Sequence, residues 1–296
     1  MKKQFIIFVL LFSFVTLFFN VSNDFQENLK YNFFDLSKDV SIAYRGWFYF
    51  NTIAFLSKIF STQFVIYFLY LIVPAVLSAL SLKSFKITLA FLFYFFSIII
   101  CGQSTYLLKM TLSQIIILVF LFNRKFALIS ISSMLIHIQA FPIISFFFYK
   151  IKRTYYIFFL SLGLYLINKN GFLSVRNDFL LAYGGSIDES IDYNKITVVL
   201  LLIYLLTSFF IKNDQKKIIL LKKLIDTIII SSLLFFDNAI IFNRILEYSW
   251  LFILIFVFNV FQKFNIVVRS TVHIGLLCCS IMALSFFVNN IIGFIL

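Results

Sequence analysis

Charged side chains make up only 12% of this chain, and several stand in short groups whose types could do chemistry. Asp237, Asn238, Asn243, Arg244, Glu247 and Tyr248 lie in or beside an apolar run. On a helix Asp237 and Arg244 share a face, and Arg244 can pair directly with Glu247 three residues on. A guanidinium forks onto phosphate oxygens, so Arg244 is suited to a diphosphate leaving group. The plainer alternative is an internally neutralised structural pair. Arg176-Asn177-Asp178 offers what glycosyl transfer needs, a cation for the departing diphosphate and a carboxylate for the acceptor hydroxyl. It also reads as a solvated loop pair. Tyr44-Arg45-Gly46-Trp47-Phe48-Tyr49-Phe50-Asn51 combines aromatic faces, which stack on sugar rings, with a guanidinium for phosphate. The same residues fit an aromatic belt with a snorkelling arginine. His137 and Gln139 interrupt an apolar run. His137 is either a hydrogen-bonded structural residue or a general base or phosphate contact.

Nothing in the spacing suggests a metal or a cofactor. The two histidines, His137 and His273, are far apart, and there is no HExxH, P-loop or GxGxxG pattern. Cys101, Cys278 and Cys279 sit in or beside apolar runs and read as buried small hydrophobes.

The elements that must position these groups are membrane helices. The chain is 62% hydrophobic and 21% aromatic, more apolar surface than a soluble domain of this length can bury. In lipid, long apolar runs mean helices, because barrel strands would alternate polar and apolar positions. A span takes about 20 residues. The expected fold is therefore all-α: one polytopic integral membrane domain, residues 1–296, of about ten transmembrane or re-entrant helices. The net charge of +13 is spread over short clusters between apolar runs, as the positive-inside rule requires. Nucleic acid is accordingly excluded as a partner.

Along the chain, Met1–Lys3 is basic and Gln4–Phe19 apolar, with no small-x-small cleavage site after it. That predicts a retained first helix with its N-terminus in the cytoplasm. Two polar outer loops, 20–46 and 168–195, hold eight of the 12 acidic residues. Basic clusters at Lys83 and Lys86, Arg124 and Lys125, Lys150 to Arg153, Lys212 to Lys223, and Lys263 and Arg269 mark the inner side. Trp47–Phe60 is short and reads as an interfacial or partly crossing segment.

The stretch from Cys101 to Tyr149 organises the rest. A polar entry (Gln103, Ser104, Lys109) leads to an apolar run, a basic turn, and a second run broken by His137, Gln139 and Pro142. A single crossing there would put Lys150, Lys152 and Arg153 outside, against the charge rule. A fold-back near His137–Pro142 keeps them inside, and proline removes a backbone donor at the break.

These features resemble the EpsG-like family of polysaccharide polymerases, which includes many Wzy-type O-antigen polymerases. The first likeness is Tyr44 to Asn51, similar to the family's Tyr-x-x-Gly-aromatic-x-x-x-Asn pattern; Arg45 stands where an acidic residue is usual. The second is the polar entry, run, basic turn and His-terminated run, with Lys109 in the place of a family Arg. The third is Asn243-Arg244-Ile245-Leu246-Glu247-Tyr248, similar to Asn-Arg-x-x-x-Tyr.

The resemblance implies a GT-C-like glycosyltransferase in the bacterial inner membrane. Its partners would be an undecaprenyl-diphosphate-linked oligosaccharide, membrane lipid and a chain-length regulator. The growing chain would be donor and a lipid-linked repeat unit the acceptor. Arg244 and Arg176 would hold the diphosphate, His137 or Asp178 would act as base, and Tyr44, Arg45, Trp47, Glu247 and Tyr248 would contact substrate. Competing readings are a lipid-linked oligosaccharide flippase, an O-antigen ligase and a structural subunit. A flippase should show mid-membrane charge and often internal symmetry, and the sequence has no repeat.

Overall fold

The computed structural model describes residues 1–18, 23–30, 33, 46–83, 88–104, 107–120, 127–137, 140, 142–147, 190–209, 216–232 and 239–295. Every regular element among them is helical, which satisfies the backbone without help from solvent. Among the described residues three helical stretches are long and apolar enough to cross a membrane: Thr62–Leu82, Phe242–Val260 and Ile266–Asn289.

Helix α1, Lys2–Phe18, buries Phe5, Val9, Ser13 and Thr16, a spacing that lines one helical face. Helix α2, Asn23–Lys30, lies in the stretch read as an outer loop. It is polar except for Phe25 and Leu29, and it buries Phe25 and Asn28. Helix α3, Trp47–Leu56, starts at Gly46, and α4 spans Thr62–Lys83 with Pro74 inside it. Proline removes one helical donor, yet α4 continues, and the Ser78 hydroxyl donates to the Pro74 carbonyl at 2.8 Å.

Helix α5, Leu89–Tyr94, is capped by Thr88, whose Oγ1 accepts from the Phe91 amide at 3.3 Å. It runs directly into a π-helix, Phe95–Ser104. Helix α6 covers Leu108–Phe120. A 3-10 segment, Ala127–Ser132, leads into α7, Ser133–Ile136. His137 then adopts extended backbone (φ −148°, ψ 118°), and α8, Pro142–Phe147, opens on proline, where a missing donor costs nothing. The break expected near His137–Pro142 is present. The return path through Lys150, Lys152 and Arg153 lies outside the described residues.

Helix α9, Ser190–Phe209, precedes α10, Lys216–Ser232. Next come α11, Ala239–Glu247, and α12, Trp250–Val260. The last helix is α13, Ile266–Ile295. Several boundaries differ from the sequence reading, Arg269 for one lying inside α13 and not between spans. Ser190–Lys195, placed in the second outer loop, forms the start of α9. Lys222 and Lys223, placed between spans, lie inside α10, and Lys222 Nζ donates to the Ser208 carbonyl at 3.2 Å. A lysine there satisfies an orphan carbonyl at the end of α9.

The chain forms two compact units, Met1–Phe141 with Phe261–Leu296, and Pro142–Val260. In the first, α1 packs along α4, α13 lies along the π-helix, and α2, α3 and α6 pack on α4. Its centre is aromatic: Phe25, Phe33, Tyr49, Phe50 and Tyr70 join Ile53, Ile66, Leu108 and Ile136. In the second, α12 is buried from Trp250 through Val257 and contacts α9 and α10. A helix apolar all round belongs in the middle of a bundle. The Trp250 indole donates to Thr197 Oγ1 at 3.1 Å and fixes α12 against α9.

Candidate functional site

Three parts of the sequence meet at Gly46. Its φ is 140° and ψ 52°, a conformation open to glycine and strained for other residues. A Cβ here would fall 2.6 Å from the Ile136 carbonyl oxygen and 3.7 Å from Lys109 Cδ. The absent side chain lets the start of α3 press against the end of α7 and the stem of Lys109.

Lys109, on α6, holds its ammonium 5.6 Å from the centroid of the Tyr49 ring and 5.0 Å from that of Phe50. Both lie within cation–π range. A buried network fixes this floor. The Tyr49 hydroxyl donates to Asn28 Oδ1 at 3.0 Å, and Asn28 Nδ2 donates to the Tyr70 hydroxyl at 3.1 Å. Asn28 thus links α2, α3 and α4. His137 is buried at the end of α7, one residue beyond the carbonyl that Gly46 approaches. Its amide donates to the Ser133 carbonyl at 3.0 Å and its own carbonyl accepts from Ala140 at 2.9 Å. Behind Lys109, α6 meets the π-helix through polar side chains: Gln114 Nε2 donates to Gln103 Oε1 at 3.4 Å. The arrangement brings a cation and two aromatic rings together with the backbone that immediately precedes His137. The ammonium is the group suited to a phosphate, and Tyr49 and Phe50, themselves buried, hold it.

We expect Tyr49→Phe to leave the ring under Lys109 but deprive buried Asn28 of a donor, costing about 1–3 kcal/mol. Tyr49→Leu should cost more, since the aromatic floor goes too. Denaturant unfolding of the purified protein in detergent measures both, and equal losses would refute a role for the ring.

The second unit carries the other predicted charges. Arg244 Nη1 donates to Glu247 Oε2 at 3.2 Å, with side chains 27% and 4% exposed. The pair expected from i,i+3 spacing is present. The sequence reading put Arg244 and Glu247 at the end of one run and Trp250 at the start of the next. They share the span Phe242–Val260, because the Tyr248 amide bonds to the Arg244 carbonyl and the Ser249 amide to that of Leu246. Tyr248 is buried and packs on Phe252, with centroids 6.0 Å apart.

Sequence reasoning missed a buried carboxylate in this unit. Asp226, on α10, accepts from the Tyr204 hydroxyl of α9 at 2.6 Å. A lone aspartate between Ile225 and Thr227 is a visible signal, but its partner is 22 residues away on another helix. Asn28 and Tyr70 were likewise unmarked, and Tyr49 was noted only as one of the aromatic run from Tyr44 to Asn51. Lys109 stood out as a charge at the polar entry and in the place of a family Arg, and its contact with Tyr49 and Phe50 was not foreseen.

Tyr44, Arg45, Gln139, Arg176, Asp178 and Asp237 lie outside the described residues, and Trp47 opens α3. Among the described residues no three His, Cys, Asp or Glu side chains gather to hold a metal. No known family model, curated protein or solved structure matches the chain.

Proposed function

We propose that this chain is a polysaccharide repeat-unit polymerase, a multi-pass GT-C-like glycosyltransferase of the bacterial inner membrane with about ten spanning or re-entrant helices. It transfers a growing glycan from undecaprenyl diphosphate to a lipid-linked acceptor repeat unit at the outer face. The observation that carries this reading is the meeting of Gly46, Lys109 and the end of α7 beside His137. Two of the three sequence places that resemble polysaccharide polymerases are joined there.

In this reading His137 takes the proton from an acceptor hydroxyl. The hydroxyl oxygen attacks the anomeric carbon and bonds to it. The bond from that carbon to the diphosphate oxygen breaks, and the lipid diphosphate leaves with the electron pair. Lys109 stabilises the charge that grows on the leaving group, and Tyr49 and Phe50 keep the ammonium in place. The transition state is oxocarbenium-like. Arg244, Arg176 and Asp178, which belong to the second unit, are the alternative set for the diphosphate and the acceptor.

Lys109→Gln keeps a polar side chain, one bond shorter, and removes its charge. We expect it to abolish long surface glycan while the protein still inserts in the membrane. The loss should be at least of the order of 100-fold, as for removal of a group that stabilises a developing anion. Gel display of surface polysaccharide reads the result. A single repeat unit on the acceptor supports the polymerase, and normal chain length removes Lys109 from the mechanism.

A flippase is the second reading, favoured by Asp226 inside an apolar bundle, since intramembrane carboxylates often mark transport pathways. Deleting the gene separates the two. A lost polymerase leaves one repeat unit attached, and a lost flippase leaves none.

A further inference from the structure

We propose that a groove between α1 and α4 seats the isoprenoid tail of the lipid carrier whose phosphate meets Lys109, an inference that rests on the function proposed above. The groove encloses about 360 Å³, within the range of about 300–1,000 Å³ typical of ligand sites. Phe14 and Phe18 line it from the last turns of α1, and Phe64, Tyr67, Phe68 and Leu71 from the first turns of α4. Apart from the Tyr67 hydroxyl these six side chains offer only apolar surface, and the five aromatic ones are substantially exposed.

A chain of packed side chains links one wall of the groove to the cation site. The Tyr67 ring meets Phe25 edge-on at 4.9 Å, and Phe25 meets Tyr70 at 5.1 Å. Tyr70 accepts from Asn28, Asn28 accepts from Tyr49, and the Lys109 ammonium lies over the Tyr49 ring. The apolar seat and the positive charge thus belong to the same compact unit. An ordinary acyl chain needs no such cation, whereas a carrier with a diphosphate head uses both. The seat also lies at the end of α1 and the start of α4. These are the ends that the positive-inside reading places at the outer face, where the chemistry is proposed.

The test uses the full chain in nanodiscs of phosphatidylethanolamine and phosphatidylglycerol. The probe is a sugar-free polyprenyl diphosphate with a diazirine in its tail. After photolysis, adducts should concentrate on Phe14–Phe18 and Phe64–Leu71, about tenfold above the exposed face of α13 around Ile274. Unlabelled polyprenyl diphosphate should displace them, and added phosphatidylglycerol should not. Two variants should each weaken probe binding about tenfold, equivalent to ~1.4 kcal/mol. Leu71→Trp fills the groove and leaves the cation, and Lys109→Gln does the reverse.

Even labelling of α13 and the groove, displacement by phosphatidylglycerol, or unchanged labelling in Leu71→Trp would overturn the proposal. The probe carries no transferable glycan, so labelling is independent of polymerisation. Intact groove labelling in a protein that makes no polymer sinks the polymerase reading and keeps the tail seat. Polymer without groove labelling does the opposite.

Discussion

Gly46→Ala is expected to lower the unfolding midpoint in detergent and to abolish long glycan in cells. A φ of 140° costs a non-glycine residue about 1–3 kcal/mol. The added methyl also meets the Ile136 carbonyl oxygen at 2.6 Å, a backbone atom that cannot rotate away. Relief requires α3 to separate from α7, which pulls the Tyr49 and Phe50 floor from under Lys109. Stability and activity should therefore fall together. A variant with normal glycan length would show that Gly46 does not hold the site together.

The second large effect is expected from Arg244→Ala. Glu247 is almost fully buried, and removing one partner of a buried pair typically costs about 3–5 kcal/mol. Arg244→Met combined with Glu247→Gln should cost less than Arg244→Ala alone, because neither replacement carries a charge. Arg244→Lys keeps the charge but loses the planar fork, and should recover stability better than activity if Arg244 also holds a diphosphate. Denaturant unfolding of the four proteins, with surface-glycan gels alongside, separates these roles. Normal glycan in Arg244→Ala would leave the residue purely structural.

Features carried by local pattern were legible in the sequence. The helices α4 and α13 follow from long apolar runs flanked by lysine or arginine. The break before α8 follows from Pro142, whose ring cannot donate. The Arg244–Glu247 pair follows from spacing alone. Features that depend on contacts distant in sequence were not. Helix α2 is mostly polar, and only its packing on α4 through Phe25 and Asn28 selects a helix there. Nothing in Phe95–Ser104 announces a π-helix, because a wider turn changes hydrogen-bond register without changing composition. Lys109 pairs with Tyr49 across 60 positions, and Asp226 with Tyr204 across helices. The sequence therefore marked these groups, at most, as unusual residues. Gly46 sat inside a motif noticed for its aromatic neighbours, while its own importance lies in a backbone angle and a missing atom.

Helix α3 has ten residues, so it rises about 15 Å, half of the ~30 Å hydrocarbon layer. Tyr70, which shares Asn28 with Tyr49, lies about 12 Å along α4 from its start at Thr62. An element so short does not cross the layer alone, in keeping with an interfacial or partly crossing segment. On the function proposed above, an element that crosses only part of the layer leaves a bulky polar cargo less oil to traverse before it meets the ammonium.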